Sequence, residues 1–209
     1  MRTRLTICTA KLILLAGAAM GDVLPIDVFS GDLHEPLNAS GTTIVAHYPI
    51  FGGAGALDSW DGHTTYIHYL LSDTFNGDPV NPRTGSHILG FTQGPGVFHF
   101  DPPIRRFGAY FNNNSGTDGA VVQFFDAAGG SLGTKSAVTP AAGTAWVWNG
   151  WESDTAIGSI SVLGNGIING FLWFDDLEIG YTPEPSALLG LSLLGGVAVR
   201  RARSGRAAA

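Results

Sequence analysis

An all-β, antiparallel sandwich is the fold class this sequence predicts, and three observations predict it. Glycine is abundant, 30 of 209 residues, and the middle of the chain is rich in β-branched and aromatic residues, which suit pleated, half-buried segments. No long apolar stripe with a 3.6-residue period is present, so no amphipathic helix competes for this stretch. From Val97 onward, short strand-like runs follow one another with turn residues between them, the spacing that antiparallel sandwiches produce.

In chain order, strands are expected near Thr43 to Tyr48 and Tyr66 to Leu71, then at Val97 to Phe100, Arg105 to Phe111, Ala120 to Asp126, Leu132 to Val138, Thr144 to Trp148, Ile157 to Leu163 and Phe171 to Ile179. Asp126-Ala127-Ala128-Gly129-Gly130 supplies a hairpin turn, with glycine available for positive φ. Pro49 to Gly62 and Asn76 to Gly96 read as loops by their glycine, proline and asparagine content. Loops of that length are uncommon and often carry function.

Both ends of the chain depart from this pattern. Arg2, Arg4 and Lys11 precede an apolar stretch from Leu12 to Met20 with small residues at Ala16, Ala18, Ala19 and Gly21. This is the layout of a secretory signal peptide over residues 1–21, expected to form a signal helix. Cys8, the sole cysteine, lies inside that segment, so the mature chain would lack thiols, disulfides and cysteine-ligated metals. At the other end, Pro183-Glu184-Pro185 precedes an uncharged run from Ala187 to Val199, then Arg200, Arg201, Arg203 and Arg206. The run is shorter than the roughly 20 apolar residues of a stable span and contains three glycines and a serine, so it predicts a marginal hydrophobic helix. The arginines would stay cytoplasmic, and the two prolines would hold the tripeptide extended near the outer face. A permanent tail anchor and a buried C-terminal helix are the alternatives.

The order of tripeptide, apolar run and basic end resembles the PEP-CTERM sorting signal of Gram-negative bacteria that make extracellular polysaccharide. The resemblance implies that Pro183, Glu184 and Pro185 are the processing motif and that residues 183–209 insert transiently in the inner membrane. A membrane exosortase would remove them, after signal peptidase has acted at the other end. The expected destination is the cell surface or exopolysaccharide matrix, and biofilm.

Between the signals lies one domain, residues 22–182, long enough to bury a core. It keeps four basic residues, Arg83, Arg105, Arg106 and Lys135, against sixteen acidic ones, a net charge of −12. Such a surface repels nucleic acid and, without divalent cations, anionic polysaccharide. Ile104 to Phe111, Val121 to Asp126, Gly130 to Gly133, Ile157 to Val162 and Phe174 to Ile179 resemble the jelly-roll body found in many proteins with this sorting signal. The resemblance implies a jelly-roll-like β-sandwich.

In related sandwiches an aspartate near the start of the last strand helps bind a structural calcium ion, which makes Asp175 and Asp176 candidate ligands. Strand alternation places Asp175 in line with Phe171, Trp173, Leu177 and Ile179, and Asp176 with Leu172, Phe174 and Glu178. A carboxylate in an apolar row is costly unless paired or metal-bound. Calcium needs about six or more oxygen ligands, so these two cannot suffice; a hydrogen-bonded aspartate at a strand edge is the alternative. Asn112, Asn114 and Asp118 match three places of a calcium loop, but Gln123 stands at the twelfth, and a polar hairpin loop explains the segment better.

Enzyme signatures fail on context. Gly129-Gly130-Ser131-Leu132-Gly133 spells a nucleophile elbow, yet strands are expected on both sides where the elbow needs a helix after it. Six histidines, His34, His47, His63, His68, His87 and His99, form no close metal pair. A cleft holding two carboxylates, or a histidine and an aspartate in contact, would reopen the question of catalysis. The sequence therefore predicts a non-catalytic surface protein. A carbohydrate-binding module is the second reading, with Trp60, Trp146, Trp148 and Trp151 as a sugar platform. Trp146 and Trp148 share a strand face, whereas Trp60 and Trp151 are expected in more exposed loops.

Overall fold

The computed structural model describes residues 22–59, 66–75, 78–91, 94–113, 119–140, 145–164 and 171–181. The expected signal helix, the hydrophobic C-terminal helix, the processing motif and the arginine cluster all lie outside these residues. Among those described, the only helical element is a 3-10 turn at Phe51–Gly53, and no helix is long and apolar enough to cross a membrane.

The described residues form fourteen strands in order: β1 Val23–Pro25, β2 Leu33–Glu35, β3 Thr43–Val45, β4 His47–Ile50, β5 Gly55–Ser59, β6 Ile67–Leu70, β7 Asp73–Phe75, β8 Asp78–Val80, β9 Ile88–Phe91, β10 Gly96–Asn112, β11 Ala120–Asp126, β12 Ser131–Ala137, β13 Val147–Gly164 and β14 Leu172–Gly180. Every pairing is antiparallel, and all but the small β7–β8 hairpin belong to one hydrogen-bonded sheet. The all-β expectation holds.

The sheet doubles over because β10 and β13 bend at the same level. Their register breaks between His99 and Ile104 and again before Arg106. Pro102 and Pro103 fall at the first break, and neither offers an N–H to the ladder. On β13 the Ser153 hydroxyl takes the Thr155 N–H at 3.1 Å, a local bond that competes with strand pairing. The first half of β10 lies between β5 and the second half of β13, with β4, β11 and β12 completing that layer. Its second half lies between β14 and the first half of β13, with β1, β2, β9, β6 and β3 completing the other.

Aromatic rings fill the gap between the layers. Phe98 meets Phe107 at 5.0 Å and Phe174 at 5.1 Å, and Phe124 meets Trp151 at 5.4 Å, each pair crossing from one layer to the other. These separations are those of favourable tilted and edge-to-face ring pairs. A smaller apolar cluster of Val80, Ile88 and Trp173 lies apart from this core.

Several expectations need correction. The separate strands at Val97 to Phe100 and Arg105 to Phe111 are one bent strand, β10. Val147 and Trp148 likewise share a continuous β13 with Ile157 to Leu163, Ala145 and Trp146 precede it, and Thr144 lies outside the described residues. Period-2 patterning marks strand segments but cannot show that a chain continues through a bend. The two long loops contain β5 in the first and β8 and β9 in the second. Their few-residue strands, interrupted by glycine and proline, gave too short a pattern to read. The Asp126 hairpin is as expected: Asp126 Oδ1 accepts the Ala128 and Gly130 N–H groups at 2.8 and 2.7 Å, and Gly129 supplies φ 82°.

Candidate functional site

The site begins with an irregularity in β14. Its register against β10 slips between Gly108 and Tyr110, and Asp176 adopts φ 46°, a conformation that aspartate tolerates better than most residues. Leu172, Phe174, Leu177 and Ile179 all reach the main core, whereas Asp175 and Asp176 are both turned to the other side. This β-bulge corrects the alternation expected from the sequence, in which the two aspartates faced opposite ways. One extra residue resets the parity of every position after it.

The doubled aspartates hold the loop that follows β8. Asp175 is fully buried and accepts the Arg83 N–H at 2.6 Å, the Thr84 N–H at 3.3 Å and the Asp176 N–H at 2.7 Å. Burial raises its carboxyl from 3.8 to about 6. The three N–H donors oppose that shift, and the Asp176 charge reinforces it. Asp176 pairs with the Arg83 guanidinium and accepts the Thr84 hydroxyl, with His34 Nε2 3.5 Å away. The guanidinium lies 3.6 Å above the Tyr110 ring, a cation–π geometry.

Such a donor set does not fit calcium. The carboxylate oxygens of Asp175 and Asp176 face N–H and O–H groups and a cation, the electrostatic opposite of a ligand cage. No group of three or more His, Cys, Asp or Glu side chains suited to a metal occurs among the described residues. Asn114 and Asp118 lie outside them.

Beside this clamp is a cleft of about 340 Å³ bordered by Phe29, Arg83, Tyr110, Trp148, Asp176 and Glu178. A second hollow of about 390 Å³ shares Arg83 and is bordered by Asn81, Pro82 and Trp146. Trp148 donates its indole N–H to the Ile26 carbonyl at 3.3 Å, and Trp146 donates to that of Asn81 at 3.1 Å. Both are half-buried. Trp151, expected in an exposed turn, is instead inside β13 and 3 % exposed, stacked in the core. Trp60 lies outside the described residues. The proposed four-residue platform thus reduces, among the described residues, to Trp146 and Trp148.

Sequence reasoning missed Phe29, Arg83, Tyr110 and two glycines. Gly108 and Gly150 are paired across β10 and β13, next to the Tyr110–Trp148 pair. A Cβ on Gly108 would overlap the six-membered ring of Trp148, and one on Gly150 would lie 2.7 Å from its Nε1. Glycine inside a strand marks close approach by another group, and that signal was present in Phe107-Gly108-Ala109 and Asn149-Gly150-Trp151.

The opposite layer presents a different cluster. His47 Nδ1 hydrogen-bonds Asp58, and His99 Nε2 lies 3.6 Å from the same carboxylate, beside a cleft that also includes Asp101. This is the histidine–aspartate contact that would reopen catalysis. Both imidazoles are more than half exposed, and no hydroxyl of a described residue bonds to either. Ser131 opens β12 directly after the hairpin turn, so the nucleophile-elbow spelling lacks its helix.

No family model and no curated protein matches the chain. Solved structures show distant likenesses. An arabinose-bound GH51 α-L-arabinofuranosidase is 12% identical with a TM-score of 0.44, over 70% of this chain and 26% of its own, so the chain spans about a quarter of that enzyme. A DUF4465 family protein from Bacteroides caccae is 12% identical with a TM-score of 0.43, over 78% and 93%. The CBM22-1 xylan-binding domain of Paenibacillus barcinonensis Xyn10C is 13% identical with a TM-score of 0.38, over 75% and 100%. Likenesses this distant assign no function.

Proposed function

We propose that the chain is an exported, non-catalytic, jelly-roll-like protein of the cell surface or exopolysaccharide matrix, released by exosortase beside Pro183-Glu184-Pro185. One observation supports this reading: the first and last described strands, β1 at Val23–Pro25 and β14 at Leu172–Gly180, are each tied into the sheet within residues 22–182. Val23 pairs with Ser153, and the Tyr181 N–H binds Asp32 Oδ2 at 2.7 Å. Cutting at both signals would leave these ties in place.

The non-catalytic part is supported by the hairpin at Ser131 and by the exposure of both imidazoles of the His47–Asp58–His99 cluster. Intact mass of the protein from its host, with and without the exosortase gene, tests the sorting part. Loss of both ends is expected, the C-terminal cut depending on that gene. A mature chain still carrying Arg200 to Ala209 would overturn it.

A second reading, polysaccharide binding, is favoured by the cleft at Trp148. Its polar rim is fixed by Asp175 and Asp176, and its aromatic floor faces away from the core.

A further inference from the structure

We infer that the outer face of the second layer is a binding groove for an uncharged polysaccharide, with the Trp148 indole as its floor and Arg83, Asp176, Glu178 and His34 as its rim. The inference rests on the polysaccharide-binding reading and not on export.

The floor is built by subtraction. Because Gly108 and Gly150 present no Cβ, the indole of Trp148 lies down over the main chain of that pair. Its N–H is tied to Ile26 at 3.3 Å. Phe29 and Tyr110 meet it at interplanar angles of 79° and 64°, so their rings stand as walls and leave the outer indole face open to the cleft. Few ligands use such a surface as well as a sugar ring, which has an apolar C–H face and a girdle of hydroxyls.

The rim is fixed before any ligand arrives. Asp175 pins the main chain at Arg83 and Thr84, while Asp176 and Tyr110 hold the guanidinium. Among the described residues only Asp176 takes a guanidinium N–H, so most of the five donors remain for hydroxyls. Glu178 gives one oxygen to the Gly31 N–H at 2.8 Å, which leaves the other as an acceptor. A rim ordered in advance spares the ligand that entropic cost.

Charge selects the class of glycan. Two carboxylates oppose one guanidinium at the rim, on a body of net charge −12. A uronic-acid or sulfated chain would be repelled, whereas hydroxyls satisfy donors and acceptors alike. Length follows from Trp146, which lies just ahead of β13 and two residues before Trp148 in the chain. Its hollow and the Trp148 cleft both border Arg83, which suits a chain rather than only a terminal sugar.

The test uses the full-length chain in mild detergent, so tail removal does not enter. The probe is the host's extracellular polysaccharide, separated by anion exchange into uncharged and acidic fractions, with binding read by affinity electrophoresis and tryptophan fluorescence. The uncharged fraction is expected to bind. Trp148→Ala should weaken binding about tenfold or more, and His34→Ala, at the exposed rim, about threefold. Should Trp148→Ala fail to fold by circular dichroism, His34→Ala decides. Uncharged-fraction binding that neither variant alters overturns this site and leaves the polysaccharide reading standing. Binding of the acidic fraction alone overturns the ligand class, and no binding to either fraction overturns both.

Discussion

Trp148 and Trp151 stand three residues apart on β13, and an odd spacing on a strand sends them to opposite faces. Trp151 pairs across the strands with Phe107 and is packed against Phe107, Phe111 and Phe124. Trp148 pairs with Tyr110 and lies over the Gly108–Gly150 pair. The same residue type is a core plug in one place and a platform in the other. What decides is the cross-strand neighbour: large rings opposite Trp151 close a core, whereas absent side chains beneath Trp148 make room for an indole to lie flat.

Truncating each tryptophan gives the largest expected contrast. Trp151→Ala should cost about 3–5 kcal/mol, the usual loss for an aromatic removed from a packed core, read as a fall in the urea midpoint. Trp148→Ala, half-buried, should cost about 1 kcal/mol while abolishing most glycan binding. Equal losses would mean that Trp148 is core, and the comparison would fail.

The second contrast is in titration. Asp175 belongs to the outer-face clamp, and its carboxyl is raised by burial to about 6 from 3.8. Between these values the native state binds more protons than the unfolded chain, so stability falls as pH rises through the window. The whole penalty is present above pH 6. It amounts to up to about 3 kcal/mol, and Arg83, Asp176, Tyr69 and the three N–H donors act on the carboxyl. Asp175→Asn should remove that slope. The measurement is the difference between the wild-type and variant pH–stability curves from pH 4 to 7, which cancels the other carboxylates; parallel curves would show that the burial of Asp175 is not felt as a charge.

Gly108→Val probes the glycine pair beneath Trp148 directly. A side chain there must displace the indole or the strand, at about 1–3 kcal/mol, and the near-ultraviolet spectrum of Trp148 should change with it. An unchanged spectrum would mean that the indole does not rest on the glycine pair.

Strand identity in the C-terminal half was legible in the sequence because those strands have one face on the core and alternate accordingly: β11 and β12 lie within a residue of their expected bounds. The site was less legible. A bulge at Asp175–Asp176 shifts parity by one residue without any change of composition, so alternation put the aspartates on opposite faces. Arg83 sits in a stretch that reads as loop, and its partners are 92 and 93 positions away, a distance that no local pattern spans. Trp146 and Trp148 read as one strand face by spacing, although β13 begins only at Val147. Trp151 was misjudged because Asn149-Gly150 looks like a turn, although Gly150 is a glycine inside a strand that yields space to Trp148.

The smallest expected effect tests how the clamp divides its work. Arg83→Ala removes the ion pair with Asp176 and the ring contact with Tyr110, but it leaves the main-chain N–H that Asp175 holds. The guanidinium is half-buried, with its side chain 35 % exposed, so the loss should be about 1 kcal/mol or less and should shrink at high salt. If the outer face is a site and the space between the layers is the core, this variant should hold its fold yet bind glycan less well. A loss approaching that of Trp151→Ala would show that the Arg83 side chain, and not the buried Asp175 carboxylate, fastens the arm to the sheet.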